Sequence, residues 1–248
     1  MKRSPGLRAI VAGVLCLAAS SALAYRPFDG TDAAVADEGE FELEFSPASY
    51  LREGSERSLF APAVVANFGI SEDREIVLEG KLRSRRDTPA EGHRTSLEDT
   101  ALSLKQVHRR GSLQDGTGPS IASECSVLLP TIHGQSGTGA SCAGIVSQRW
   151  PMATVHVNAA LLLDRKHDWS RFLGAIVEGP GEWSVRPVME IFAERGVNGA
   201  RTDSALVGLI WRAQENLSFD LGVRRARSDG ENISEVRAGL TWAFAMGK

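Results

Sequence analysis

Acidic and apolar residues alternate without a break from Glu40 to Phe45. Strand side chains point alternately to opposite faces, so Glu40, Glu42 and Glu44 share one face and Phe41, Leu43 and Phe45 the other. The same period of two governs Arg74–Arg83, where Ile76, Leu78 and Leu82 stand against Glu75, Glu79, Lys81 and Arg83. It returns in Leu217–Arg225 and in Ser234–Phe244. Helical spacing fits none of these stretches as well. Turn signals fall between them at fairly regular intervals, among them SEDR (71–74), EGPGEW (178–183), QEN (214–216) and SDGEN (228–232). The pattern predicts about twelve strands: 39–50, 58–70, 74–85, 97–109, 119–131, 137–149, 152–164, 169–178, 182–195, 203–213, 217–227 and 233–244. Each is near the roughly 9–11 residues that cross a bilayer at a tilt.

The chain begins with Lys2, Arg3 and Arg8 around a short apolar run, Ile10–Leu17, and reaches an A-x-A-like site at Ala22-Leu23-Ala24. This is the layout of a secretory signal peptide over 1–24, cleaved after Ala24. Cys16 leaves with it. The remaining 224 residues carry a formal charge of −6, since the three basic residues of 1–24 are removed from a total of −3. An acidic balance argues against a nucleic-acid partner, which needs a basic face. Beyond residue 24 no uncharged apolar run is long enough for a spanning helix. If the exported chain enters a bilayer, a closed barrel is what remains. The stretch 25–37, YRPFDGTDAAVAD, lacks period two and reads as an N-terminal arm before a barrel over 38–248.

An even number of strands puts both termini on one side, and the even-numbered connections are the shorter ones apart from 109–119. Both features fit an outer-membrane barrel of a Gram-negative bacterium. In such a barrel the charged faces must line the lumen, because Arg or Lys on the lipid side costs about 2–4 kcal/mol at the midplane. The expected lumen-lining residues are Glu42, Glu44, Glu79, Lys81, Arg83, Arg186, Glu190, Asp220, Arg224 and Arg237, with Arg237 a candidate partner for the glutamates of the first strand. Trp242 and Phe244 suit an aromatic girdle. A soluble periplasmic β protein with the faces reversed is the alternative.

Cys125 and Cys142 flank a hairpin. Opposing them gives pairs that sum to 267, so Val127 faces Ala140, Leu129 faces Thr138 and Thr131 faces Ser136, leaving a four-residue loop. Export favours a disulfide between them, and two separate thiols remain the other reading. Catalytic signals are weak. No G-x-S-x-G or H-E-x-x-H occurs. His93, His108, His133, His156 and His167 are scattered. His156 and Asn158 share a strand face. Outer-membrane phospholipases, which use a Ser–His–Asn arrangement, carry His and Ser two apart on a strand. Here Asn158 takes that slot and no serine is assigned, so His156 reads as a polar residue lining the lumen. No enzyme activity, cofactor or metal is expected. Arg85, Arg86 and Arg94 lie in a charged loop that could meet lipopolysaccharide phosphates.

Five stretches resemble, in order, the outer-membrane transporters grouped as the "MetA-pathway of phenol degradation" family: RPFDGTDAAVADEGEFELEFS (26–46), LEDTALSLKQ (97–106), LLPTIHGQSGTG (128–139), ALVGLIWRAQENLSFDLGVRR (205–225) and AGLTWAF (238–244). The resemblance implies an all-β, antiparallel transmembrane barrel that takes up small, often aromatic, compounds. Its setting is the lipid bilayer with lipopolysaccharide, and its insertion is by the barrel-assembly machinery. Two departures stand out: the cysteine pair, and the tail AMGK after Phe244. Two functions follow from different classes. One is a passive channel for small solutes. The other is a structural or interaction barrel closed by salt bridges across its lumen.

Overall fold

The computed structural model describes residues 26–87 and 94–246. The signal segment with its cleavage site, Cys16 and His93 lie outside the described residues. Twelve antiparallel strands close into one barrel in sequence order, β12 pairing back onto β1. They are β1 (Glu40–Glu53), β2 (Glu56–Ser71), β3 (Arg74–Arg85), β4 (Thr95–Arg109), β5 (Ser120–Leu128), β6 (Gly139–Trp150), β7 (Ala153–Leu163), β8 (Trp169–Glu178), β9 (Val185–Gly196), β10 (Arg201–Gln214), β11 (Leu217–Ser228) and β12 (Glu231–Ala245). Closure leaves no strand edge to satisfy. The fold class read from the alternation is therefore the one observed.

Every strand divides its residues between two environments. On β1, Glu42 and Glu44 are buried within the barrel, while Phe41, Leu43 and Phe45 lie on the outer wall. Outside, Leu161, Leu173, Ile191, Val207 and Leu221 are each more than half exposed. An exposed apolar surface of this extent is foreign to a water-soluble monomer. Toward the end that carries the termini, aromatic rings gather on the outer wall. Phe41 pairs across the β1–β12 seam with Phe244 at 5.2 Å between centroids, Trp242 lies 5.3 Å from Phe244, and Trp211 stacks on Phe219 at 5.5 Å.

The alternation of the first strand ends at Ser46-Pro47 for a structural reason. The β1–β12 register slips between Phe45 and Ala48, and the β2–β3 register slips between Phe60 and Ala63. Pro47 and Pro62 sit in these gaps, having no N–H to give to a ladder. The inward side of β1 resumes at Ser49, whose hydroxyl lies 3.0 Å from that of Ser46. At the far end of the barrel, Leu51, Phe60, Ala226 and Ile233 pack together inside. There the two-residue turn Asp229-Gly230 has φ of 48° and 93°, the left-handed pair that a tight hairpin requires. At the near end the tail continues β12: Ala245 pairs with Glu40 and the Met246 N–H donates to the Gly39 carbonyl.

Cys125 and Cys142 are direct partners across β5 and β6 and are joined by a disulfide. The bond lies on the outer wall, between Leu104 of β4 and Leu161 of β7. The expected pairing continues only as far as Leu128 and Gly139. Leu129 does not reach Thr138. Its N–H donates instead to Thr100 of β4, and Pro130 has no N–H to offer. The connection is thus 129–138 rather than four residues. Alkylation of the denatured, unreduced protein should leave Cys125 and Cys142 unlabelled, with both labelled after reduction. Labelling without reductant would exclude the bond.

Candidate functional site

The arm ahead of β1 is not outside the barrel but inside it. An extended segment within a barrel needs partners for its backbone groups, and here wall side chains supply them. Asn158 on β7 clasps Thr31, accepting its N–H at 3.0 Å and donating to its carbonyl at 2.7 Å. Glu190 on β9 accepts the N–H groups of Asp29 and Gly30 at 2.9 and 2.7 Å. Ser147 on β6 accepts from Ala33 at 3.0 Å, and Glu75 on β3 from Ala36 at 2.7 Å. From Arg26 to Ala36 the contacts step round the inner wall from β11 to β3. Glycines make room for this path. A Cβ on Gly222 would stand 3.0 Å from Pro27, and one on Gly239 would stand 2.4 Å from Arg26.

Charge fixes the start of this path. Arg26 pairs with Asp220 at 3.4 Å. Arg237 donates to Asp29 and to Glu235, each at 2.9 Å, and to the Pro27 carbonyl at 2.8 Å. Arg224 joins the same group through Glu235 at 2.9 Å. Burial would raise the Asp29 carboxyl, but Arg237 and Arg224 beside it outweigh burial and hold it below its ordinary value. Arg237 therefore serves the arm and not the glutamates of β1. The bulge at Pro47 sets it opposite Ser49, beyond Glu44. Glu44 instead accepts from Asn67 at 3.1 Å.

The remaining residues of the expected set fall in three places. Lys81 pairs with Asp99 and lies 4.5 Å from the Phe60 ring. Arg83 donates to Ser58 at 2.9 Å and pairs with Glu98 at 3.8 Å, toward the far end. Arg186 pairs with Glu178 at 3.4 Å. Glu42 and Glu79 border an open cavity of about 1000 Å³ that the arm leaves beside it. The cavity reaches from Glu72 and Glu182 in the near-end turns to Leu128 and Leu162 near the tops of β5 and β7. The long connection 110–119 folds against its near end. Leu113 is buried with Ala33 and Ile145, and Gln114 donates to the Ala33 carbonyl at 2.8 Å.

The sequence alone left His156 without a serine. The structure supplies one: His156 Nδ1 lies 2.8 Å from Ser147 Oγ, and Nε2 lies 3.1 Å from Glu178. The three make a Ser–His–Glu string. Ser147 and His156 are both fully buried, and the Ser147 hydroxyl already faces the Ala33 N–H. An electrophile has no approach to it. The string holds the arm against β6. Ser147 and Glu178 were missed because the residues that find them lie 9 and 22 positions away, on neighbouring strands.

No family model and no curated protein matches this sequence. Solved structures match its fold. An outer membrane channel from Pseudomonas putida F1 superposes with a TM-score of 0.64 at 10% identity, over 88% of this chain and 100% of that one. The porin NanC gives 0.55 at 7% identity, over 82% and 98%. The KdgM porin in complex with disordered oligogalacturonate gives 0.53 at 11% identity, over 82% and 99%. At such identities the likeness is one of architecture: this chain has the barrel fold of outer-membrane porins and channels.

Lys105 ties the arm to the wall at its centre. Its ammonium lies 3.1 Å from Asp32 on the arm and 3.4 Å from Glu75 on β3, and all three are buried. Removing one partner of a buried pair leaves uncompensated charge. Lys105→Met should therefore destabilise the folded barrel by about 3–5 kcal/mol, read as a lower denaturant midpoint in detergent. An unchanged midpoint would show that the pair does not hold the arm.

Proposed function

We propose that the protein is a passive outer-membrane channel for small solutes, its lumen narrowed by its own N-terminal arm. The observation that carries this reading is the pairing of an apolar outer wall with a charged lumen that keeps an open cavity beside the arm. An apolar exterior with aromatic girdles around a polar interior is the arrangement of a membrane barrel. A soluble periplasmic protein would place its aromatics inside. The MetA-pathway resemblance and the fold of the Pseudomonas channel point the same way. Small polar solutes suit the cavity better than hydrocarbons, since charged side chains make up about half of its border. A second reading, a closed barrel without transport, draws support from the salt bridges that bind the arm to β11 and β12. Assembly would follow the usual route through the barrel-assembly machinery, after cleavage at Ala24.

The outer leaflet offers a partner as well. Arg171, Arg195 and Arg201 are register neighbours on β8, β9 and β10, on the outer wall at the end away from the termini. We infer that this row, together with the loop arginines Arg85, Arg86 and Arg94, meets the phosphates of lipopolysaccharide. Within the row Arg195 also pairs with Asp203. Arg85 is turned toward Glu98 at 3.9 Å.

A spin label at Leu43 should sense lipid, and one at Glu42 should sense water. The reversed result would turn the barrel inside out. In a planar bilayer the intact protein should give small conductance steps, and a chain lacking residues 26–37 should give larger ones. If neither opens at any voltage, the closed barrel is the better account.

A further inference from the structure

The lumen charges are not evenly compensated. On the β8–β12 side, acid and base neutralise each other through Arg26–Asp220, Arg186–Glu178 and the Arg224–Glu235–Arg237 group. On the opposite wall, β1, β3 and β5 present Glu42, Glu44, Glu75, Glu79 and Glu124 to the cavity. The register brings them together. Glu44, Val65 and Glu79 form one row across β1–β3, and Glu75, Lys105 and Glu124 form another across β3–β5. Lys105 is the single cation in these rows, and it is held by Asp32 and Glu75. Among the described residues that border the cavity, fourteen Asp and Glu stand against five Lys and Arg.

Glu42 adds a separate observation. Its side chain borders the cavity at 8% exposure, and it has neither a hydrogen-bond nor an ion-pair partner among the described residues. A buried carboxylate is normally paired or hydrogen-bonded. Its neighbours in electrostatic range are Glu44, Glu75 and Asp32, with Lys105 already engaged. Arg26 lies in range of Glu44 and Lys81 in range of Glu79, so it is at Glu42 that a positive charge arriving from the cavity has a place.

We propose that the lumen is selective for small cations, inorganic or ammonium-bearing, and that Glu42, with Glu44, Glu79 and Glu124 around it, forms their binding site. This rests on the channel reading and deepens it. A low-dielectric cleft lined by one sign of charge concentrates counter-ions and turns away co-ions.

Two measurements test it, one of them independent of conductance. Under a KCl gradient the reversal potential should take the sign set by K⁺, and Glu42→Gln combined with Glu124→Gln should lower the cation preference severalfold while the steps persist. Steps that favour Cl⁻, or a preference unmoved by the double substitution, would overturn the proposal and leave the channel standing. Val65 lies between Glu44 and Glu79 in their row. Val65→Cys should react with a trimethylammonium-bearing methanethiosulfonate about tenfold faster than with a sulfonate-bearing one, and Glu42→Gln should shrink that ratio. Equal rates would overturn the cation site. Absence of conductance steps alongside a strong rate ratio would support the site and count against transport.

Discussion

The pairing of β12 with β1 is the contact on which the rest of the structure depends. Until that ladder forms, two strand edges expose backbone groups that hydrocarbon cannot satisfy. Once it forms, every strand has two neighbours, and the period of two becomes a division between outside and inside. The seam is also where the aromatic residues Phe41, Trp242 and Phe244 meet. It lies beside the two proline bulges, at Pro47 and Pro62. The bulge at Pro47 shifts the inward side chains of β1 by one position and sets Arg237 opposite Ser49, where the unshifted register would set it opposite Ala48.

Closure creates a second problem, a lumen too wide for twelve strands' side chains to fill. The arm solves part of it. It brings backbone groups that need partners and charges that need counter-charges, and the wall supplies both. Asn158 and Glu190 take the place of a neighbouring strand for the arm's amides. The Arg26–Asp220 and Lys105–Asp32 pairs act as anchors at one end and at the centre. Buried pairs of this kind add little net stability but penalise any arrangement that separates them. The arm is therefore positioned by the cost of leaving its place. The cavity that remains borders β1, β3 and β5, where the arm leaves Glu42, Glu79 and Glu124 without a counter-charge of its own, so the geometry of the arm also sets the charge of the open space.

Much of this architecture was legible in the residues. Glu40–Phe45, Leu217–Arg225 and Ser234–Phe244 each carry a clean alternation, and two of the expected strands, 74–85 and 169–178, have the observed limits. The Cys125–Cys142 register was legible because one cross-strand pair fixes all others on a regular ladder. It failed beyond Leu128, where Pro130 interrupts the hydrogen bonding. The arm was legible only as a segment without period. Its partners come from β3, β4, β6, β7, β9, β11 and β12, and no local pattern encodes a contact with seven separate strands. Ser147 and Glu178 escaped notice for the same reason.

By itself the sequence determined the strand period, the strand count and which residues share a face, because these follow from local geometry and the alternation of polarity. The tertiary structure alone decided where the arm goes, which charges neutralise each other and which are left facing the cavity. Those outcomes depend on distances between strands far apart in the chain, and a distance across a closed barrel exists only once the barrel has closed.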